Sequence, residues 1–81
     1  MTLQQLRYAD GIARFGSFNE AARRLFVSQP TLTASIQQLE EEIRTAIFTR
    51  SGKGVTVTRE GEEFLSSARQ VLSQRNRIVS R

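Results

Sequence analysis

Apolar residues recur every three or four positions up to residue 43, every second position over a short stretch after it, and every three or four again to the end. That sequence of periods predicts helices, then a β-hairpin, then a helix. The first helix is expected to start at Thr2, a good N-cap, and to run to about Arg14, with Leu3, Leu6, Ala9 and Ala13 as its buried stripe. Asp10 and Gly11 weaken it, because both are poor helix formers in an interior, and Gly16 supplies its stop. Ser17-Phe18-Asn19-Glu20 has the spacing of a capping box and opens a short helix over about 18–26, with Ala21, Ala22 and Leu25 on one face. Phe26-Val27 is a tight turn and Ser28 the next N-cap. Pro30 falls in the first turn of the third helix, where a missing N–H costs nothing. Leu32, Ile36, Leu39 and Ile43 form the buried stripe of that helix, which spans about 28–43, and Glu40, Glu41 and Glu42 read as its solvated far end.

From residue 47 to 58 the period shortens. Ile47-Phe48-Thr49-Arg50 and Val55-Thr56-Val57-Thr58 are β-prone runs around a four-residue loop, Ser51-Gly52-Lys53-Gly54. Thr58 caps a fourth helix whose first turns carry Glu60, Glu62 and Glu63 near the positive end of the dipole. Leu65, Ala68, Leu72 and Val79 lie close to a 3.5-residue period, interrupted at Arg75, and Phe64 and Val71 widen the stripe. Arg75, Arg77 and Arg81 suit a helix C-terminus. Three helices, a hairpin and a long tail helix give a mainly α fold, a winged helix-turn-helix. Residues 1–58 form the three-helix core and β-hairpin wing, and residues 59–81 a linker helix suited to dimerisation.

With 81 residues the chain has room for one small core. Its 38% hydrophobic and 25% charged residues fit a folded domain rather than a disordered tail. No apolar run is long enough to span a bilayer, and the start lacks the pattern of a secretory signal. Cys and His are both absent, so neither a disulfide nor a metal site is expected, and a reducing cytoplasm is the simplest setting. The same absence leaves no partner to activate a nucleophile, so no enzyme is expected. Ser51-Gly52-Lys53-Gly54 is not a phosphate-binding P-loop, because Ile47 and Gly54 stand where that motif needs Gly and Ser/Thr. Twelve Lys+Arg against eight Asp+Glu, a net charge of +4, favours polyanionic partners.

The third helix narrows that choice. Off its apolar stripe stand Gln29, Pro30, Thr31, Thr33, Ala34, Ser35, Gln37 and Gln38, polar or small and all uncharged. Base edges are also uncharged; Gln can pair with N6 and N7 of adenine, and Thr can bond a base edge or touch a thymine methyl. These side chains could equally serve only to keep an exposed helix soluble. The capped helix before the turn, Pro30 and the basic hairpin favour insertion into a major groove. In the hairpin, Arg50 and Lys53 flank a Gly-rich tip that could follow phosphates or enter a minor groove. Arg23 and Arg24 read as surface cations or phosphate contacts.

The chain resembles the N-terminal DNA-binding domain of LysR-type transcriptional regulators over nearly its whole length. The resemblance rests on Leu6-Arg7-Tyr8, Gly16-Ser17-Phe18, Ala21-Ala22, Leu25, Val27-Ser28-Gln29-Pro30, Leu32-Thr33 and Ile36. It continues through Leu39-Glu40, Phe48, Arg50, Gly52, Gly54-Val55, Thr58 and Gly61. It implies a bacterial regulator that binds double-stranded promoter DNA as a homodimer, with tetramers possible in the full-length protein. Gln29, Pro30, Thr31, Thr33, Ala34 and Gln37 would read the major groove. Arg50 and Lys53 would follow the backbone or minor groove, while Ser17 and Phe18 would start the helix lying over the phosphates. Phe64, Leu65, Ala68, Val71, Leu72 and Val79 would form the dimer helix. No cofactor is implied for these residues, since a small-molecule inducer would bind a C-terminal domain that they do not include.

The departures from the family pattern are specific. Ala34, Gln37 and Gln38 stand where Arg is frequent, so readout would lean on Thr and Gln hydrogen bonds. Ala9 and Asp10 replace large apolar residues, at a cost of about 3–5 kcal/mol if nothing refills the space of a lost aromatic. Arg44 replaces the Gly that often ends the third helix. A different class of role, a fold used only for dimerisation or protein contact, draws on Ala34 and the mixed-charge tail.

Overall fold

The computed structural model describes residues 1–52 and 54–80, with residues 74–80 by backbone alone. The expectations for Lys53, Arg81 and the side chains of Arg75, Arg77 and Val79 lie outside the described residues. The order is α1 (Leu3–Phe15), α2 (Phe18–Arg24), α3 (Gln29–Ile43), β1 (Phe48–Ser51), β2 (Gly54–Val57) and α4 (Arg59–Ser80). No described helix is long and apolar enough to cross a membrane.

Each helix start is set by a hydroxyl. Thr2 Oγ1 accepts from the Gln5 N–H while the Gln5 amide oxygen accepts from the Thr2 N–H, a full capping box. Gln5 is buried, and its Nε2 donates to the Ser35 carbonyl of α3 at 3.3 Å. Gly16 ends α1 in the left-handed region (φ 70°), its N–H donating to Ile12 O. Within α1 the core residues are Leu6, Ala9 and Ile12; Leu3 and Ala13 of the expected stripe are only half-buried, and Ile12 takes the central place. Ser17 caps α2 by accepting from the Glu20 N–H. The expected capping box is only half made there, because the Glu20 carboxylate pairs with Arg23 at 2.9 Å and Arg24 at 2.8 Å. α2 is also shorter than expected, since Phe26 turns the chain at φ 57°.

α3 has Ser28 as N-cap, Pro30 in its first turn and Leu32, Ile36 and Leu39 buried. Its end corrects one expectation. Of the three glutamates, Glu40 is no solvated end: one carboxylate oxygen accepts from the backbone N–H groups of Ile47 (2.8 Å) and Phe48 (3.2 Å), fixing the chain as it enters β1. Arg44 closes the helix in the left-handed conformation (φ 55°), where glycine would be unstrained.

The two strands pair antiparallel with Phe48 opposite Val57, Arg50 opposite Val55 and Ser51 opposite Gly54. The connection is therefore two residues, not four, because Ser51 and Gly54 belong to the ladder. An isolated hairpin is marginally stable in water. This one is held by Phe48, whose ring meets Phe18 edge-on at 5.9 Å, and by the Glu40 clip at its base. Ile47 lies outside the strand and is fully buried.

α4 starts at Thr58, whose Oγ1 accepts from the Gly61 N–H and donates to the carbonyls of Ala46 and Ile47. Gly61 is required by packing: a Cβ there would overlap the Ile47 carbonyl. Leu65 and Ala68 are buried, and Leu65 joins the core cluster with Ile12, Leu32 and Leu39. They are thus committed to the chain's own core and are not available to a partner helix, contrary to their expected place on a dimer face. Across the same α1–α4 contact Asp10 receives Arg69 at 2.8 Å, and along α1 it receives Arg14 at 3.2 Å. Of the two positions where large apolar residues were expected to be missed, Ala9 is fully buried in the core, while Asp10 borders a concavity of about 300 Å³ with Gly11, Phe15, Leu25 and Leu72.

Candidate nucleic-acid interface

The short turn after α2 sets α3 across it with its stripe inward and its other side outward. Gln29, Pro30, Thr31, Ala34 and Gln37 are exposed, and Thr33 is half-buried. Gln29, Pro30, Thr33, Ala34 and Gln37 border one shallow concavity, so the structure brings five of the six expected groove residues together. Thr31 stands beside them at the helix start, its Oγ1 accepting from Ser28 Oγ at 2.8 Å. That bond leaves the Thr31 hydroxyl proton available outward. The face carries no charge of its own.

Its charge comes from the wing. The Arg50 side chain leans off β1 toward α3, where Nη2 donates to Thr33 Oγ1 at 3.3 Å. Its guanidinium carbon lies 3.8 Å from the centroid of the Phe18 ring, a cation–π contact. Phe18 is therefore not a surface contact. Only 7% exposed, its ring is core, and its link to the interface runs through Arg50. Ser17 is half-buried, and beside it a second shallow groove runs between Asn19, Gln29, Arg50 and Val55. Accepting from Arg50 uses one of the two lone pairs of the Thr33 hydroxyl and leaves its proton and the other lone pair.

Arg23 and Arg24 share the single carboxylate of Glu20, so one positive charge of the pair remains uncompensated by it. The Arg24 bond and the Arg23 charge hold the Glu20 carboxyl below the usual glutamate range. Arg24 also lies over the Phe15 ring at 5.2 Å. On α4, Phe64 and Leu72 are half-buried and Val71 is 44% exposed. Phe64 packs against the core cluster with its half-buried ring, so the exposed large apolar side chain among the described residues of α4 is Val71. Among the described residues no group of His, Cys, Asp or Glu could hold a metal ion.

Sequence reasoning missed three features. Glu40 was hidden in a run of glutamates, Gln5 looked like an ordinary polar residue, and Phe26, 96% exposed in the turn, was read only as a loop residue. The stacking of Arg50 on Phe18 had no local signal, because the two residues lie on different elements, β1 and α2.

A helix-turn-helix whose second helix presents a neutral polar face beside an arginine-bearing hairpin defines a winged helix-turn-helix protein. The family model described as bacterial regulatory helix-turn-helix protein, lysR family, matches residues 3–62, and the chain belongs to that family. TfdT, an HTH-type transcriptional regulator of Cupriavidus pinatubonensis (strain JMP 134), is 44% identical over 73 residues, 90% of this chain and 32% of its own. A BenM DBD in complex with benA site 1 DNA superposes with a TM-score of 0.93 at 38% identity, over 99% of this chain and 90% of that one. A CbnR DBD in complex with DNA superposes with a TM-score of 0.86 at 36% identity, over the whole of both chains. The chain spans about a third of the length of the regulators it matches.

Proposed function

We propose that this chain binds double-stranded promoter DNA in a sequence-specific way, as the DNA-binding part of a LysR-type transcriptional regulator. The observation that carries the reading is the uncharged face of Gln29, Pro30, Thr31, Thr33, Ala34 and Gln37 set beside Arg50. It matches the needs of a groove: hydrogen-bonding groups for base edges and a cation for the phosphates at the rim. The likeness to the BenM and CbnR domains solved with DNA supports it.

In this reading residues 1–58 read DNA, with Lys53 and Ser17 adding backbone contacts. Residues 59–81 join two copies through the outward side of α4, along Phe64 and Val71, with Leu72 at its edge and Val79 further on. A two-fold pair would present its two α3 helices about 34–36 Å apart, one turn of duplex. Tetramers belong to the full-length protein, and an inducer would bind outside these residues. The role is non-enzymatic, takes no cofactor here, and is carried out in the bacterial cytoplasm.

The test is fluorescence anisotropy with promoter and random duplexes at two salt concentrations. Salt-sensitive binding with a promoter preference is expected. Gln29→Ala should relax that preference, and Lys53→Ala should weaken all sequences alike. A chain that dimerises yet binds no duplex would instead be a protein-interaction module.

A further inference from the structure

We infer that Phe18 is a positioning residue for DNA binding: its ring presents the Arg50 guanidinium to the backbone phosphate at the edge of the groove that α3 enters. The inference rests on the DNA-binding reading above. An arginine on a two-stranded hairpin is ordinarily a mobile cation with many rotamers, and each must be given up on contact. Here three features restrict it. The guanidinium lies over the Phe18 ring, its carbon 3.8 Å from the centroid. One edge is fixed by the bond from Nη2 to Thr33 Oγ1. The ring beneath is itself immobile, because it is 7% exposed and meets Phe48 edge-on at 5.9 Å. Phe48 is in turn held at its N–H by the Glu40 carboxylate.

The consequence is positional. Arg50 does not project from the tip of the wing but lies at the flank of α3, beside Thr33, where the phosphates bordering a major groove would pass. It takes no part in the ion pairs of the described residues, unlike Arg23 and Arg24, which share Glu20. With one face on the ring and one N–H on Thr33, the guanidinium keeps other donors for a phosphate oxygen. A lysine would keep the charge but lose the planar fit to both the ring and the hydroxyl.

The experiment measures binding of the 81-residue chain to a fluorescent pool of randomised duplexes across a salt series, with folding of each variant checked by thermal unfolding. Arg50→Ala should reduce the log–log salt slope by about 0.9, the value of one phosphate contact. Phe18→Leu should reduce it by a similar amount and the double variant by no more, whereas Phe18→Tyr, which keeps the ring face, should restore it. Arg50→Lys should bind several-fold more weakly than wild type, and this variant leaves the core untouched should Phe18→Leu fail to fold. In the free chain, NMR should show ring-current upfield shifts of the Arg50 side-chain protons that Phe18→Leu removes. A slope lost in Arg50→Ala but kept in folded Phe18→Leu would overturn the inference alone. So would an Arg50→Lys variant that binds as tightly as wild type. Failure of the wild-type chain to bind any duplex would overturn the DNA-binding reading and this inference with it.

Discussion

Arg44 holds its backbone at φ 55°, in a region where a Cβ is disfavoured by about 1–2 kcal/mol. Arg44→Gly should therefore stabilise the chain, by about 0.5–1 kcal/mol after the extra unfolded-state entropy of glycine is subtracted. Urea unfolding would register this as a higher midpoint at unchanged slope. Glu20 makes a prediction with a sign. Its carboxyl is held below the usual range by Arg24 and then Arg23, so its contribution is present above the unfolded-state value of about 4.3 and fades as pH falls through the lower folded-state value. The stability gap between wild type and Glu20→Gln should accordingly close under acid, as unfolding curves at a series of pH values would show. Thr33, accepting from Arg50, still has a proton that it can offer to an acceptor such as a purine N7, guanine O6 or thymine O4. Thr33→Val should erase a preference for such an acceptor at one base pair in selected duplexes.

Among the elements, the helices were the most legible in the sequence because caps and stripes are local. Thr2, Ser17, Ser28 and Thr58 each stand at the helix start that they were expected to set, and Gly16 at the stop. What escaped was determined by contacts across the chain. Nothing near Glu40 reveals that its carboxylate reaches residues 47 and 48, and nothing near Leu65 says whether its neighbour is α1 or another molecule. The uncharged, mostly exposed side of α3 was legible because it lies on one helix; the stacking of Arg50 on Phe18 joins residues 32 positions apart and was not. Gly61 is another such case. Gly61→Ala forces a methyl against the Ile47 carbonyl and should cost about 1–3 kcal/mol in thermal or urea unfolding. Asp10 replaces an apolar contact between α1 and α4 by ion pairs with Arg14 and Arg69. A double-mutant cycle on Asp10 and Arg69 should return a coupling of up to about 1 kcal/mol that diminishes with added salt.

At the scale of the whole molecule, α4 faces two ways: Leu65 and Ala68 complete the core, while Val71 is exposed on the side proposed above to meet a second copy. Dimerisation through that side would need no refolding of the reading head. A Val71→Glu variant should then shift sedimentation toward monomer while leaving the unfolding midpoint of the monomer nearly unchanged. The single carboxylate of Glu40 has a further consequence. By accepting from both Ile47 and Phe48, it makes the first step of the hairpin an extension of α3 rather than of a loop. Arg50 and Thr33 make a second tie between the same two elements. A roll of α3 about its axis would then pull on the wing through both ties. On the DNA-binding reading proposed above, the helix and the base of the wing would therefore approach a duplex together.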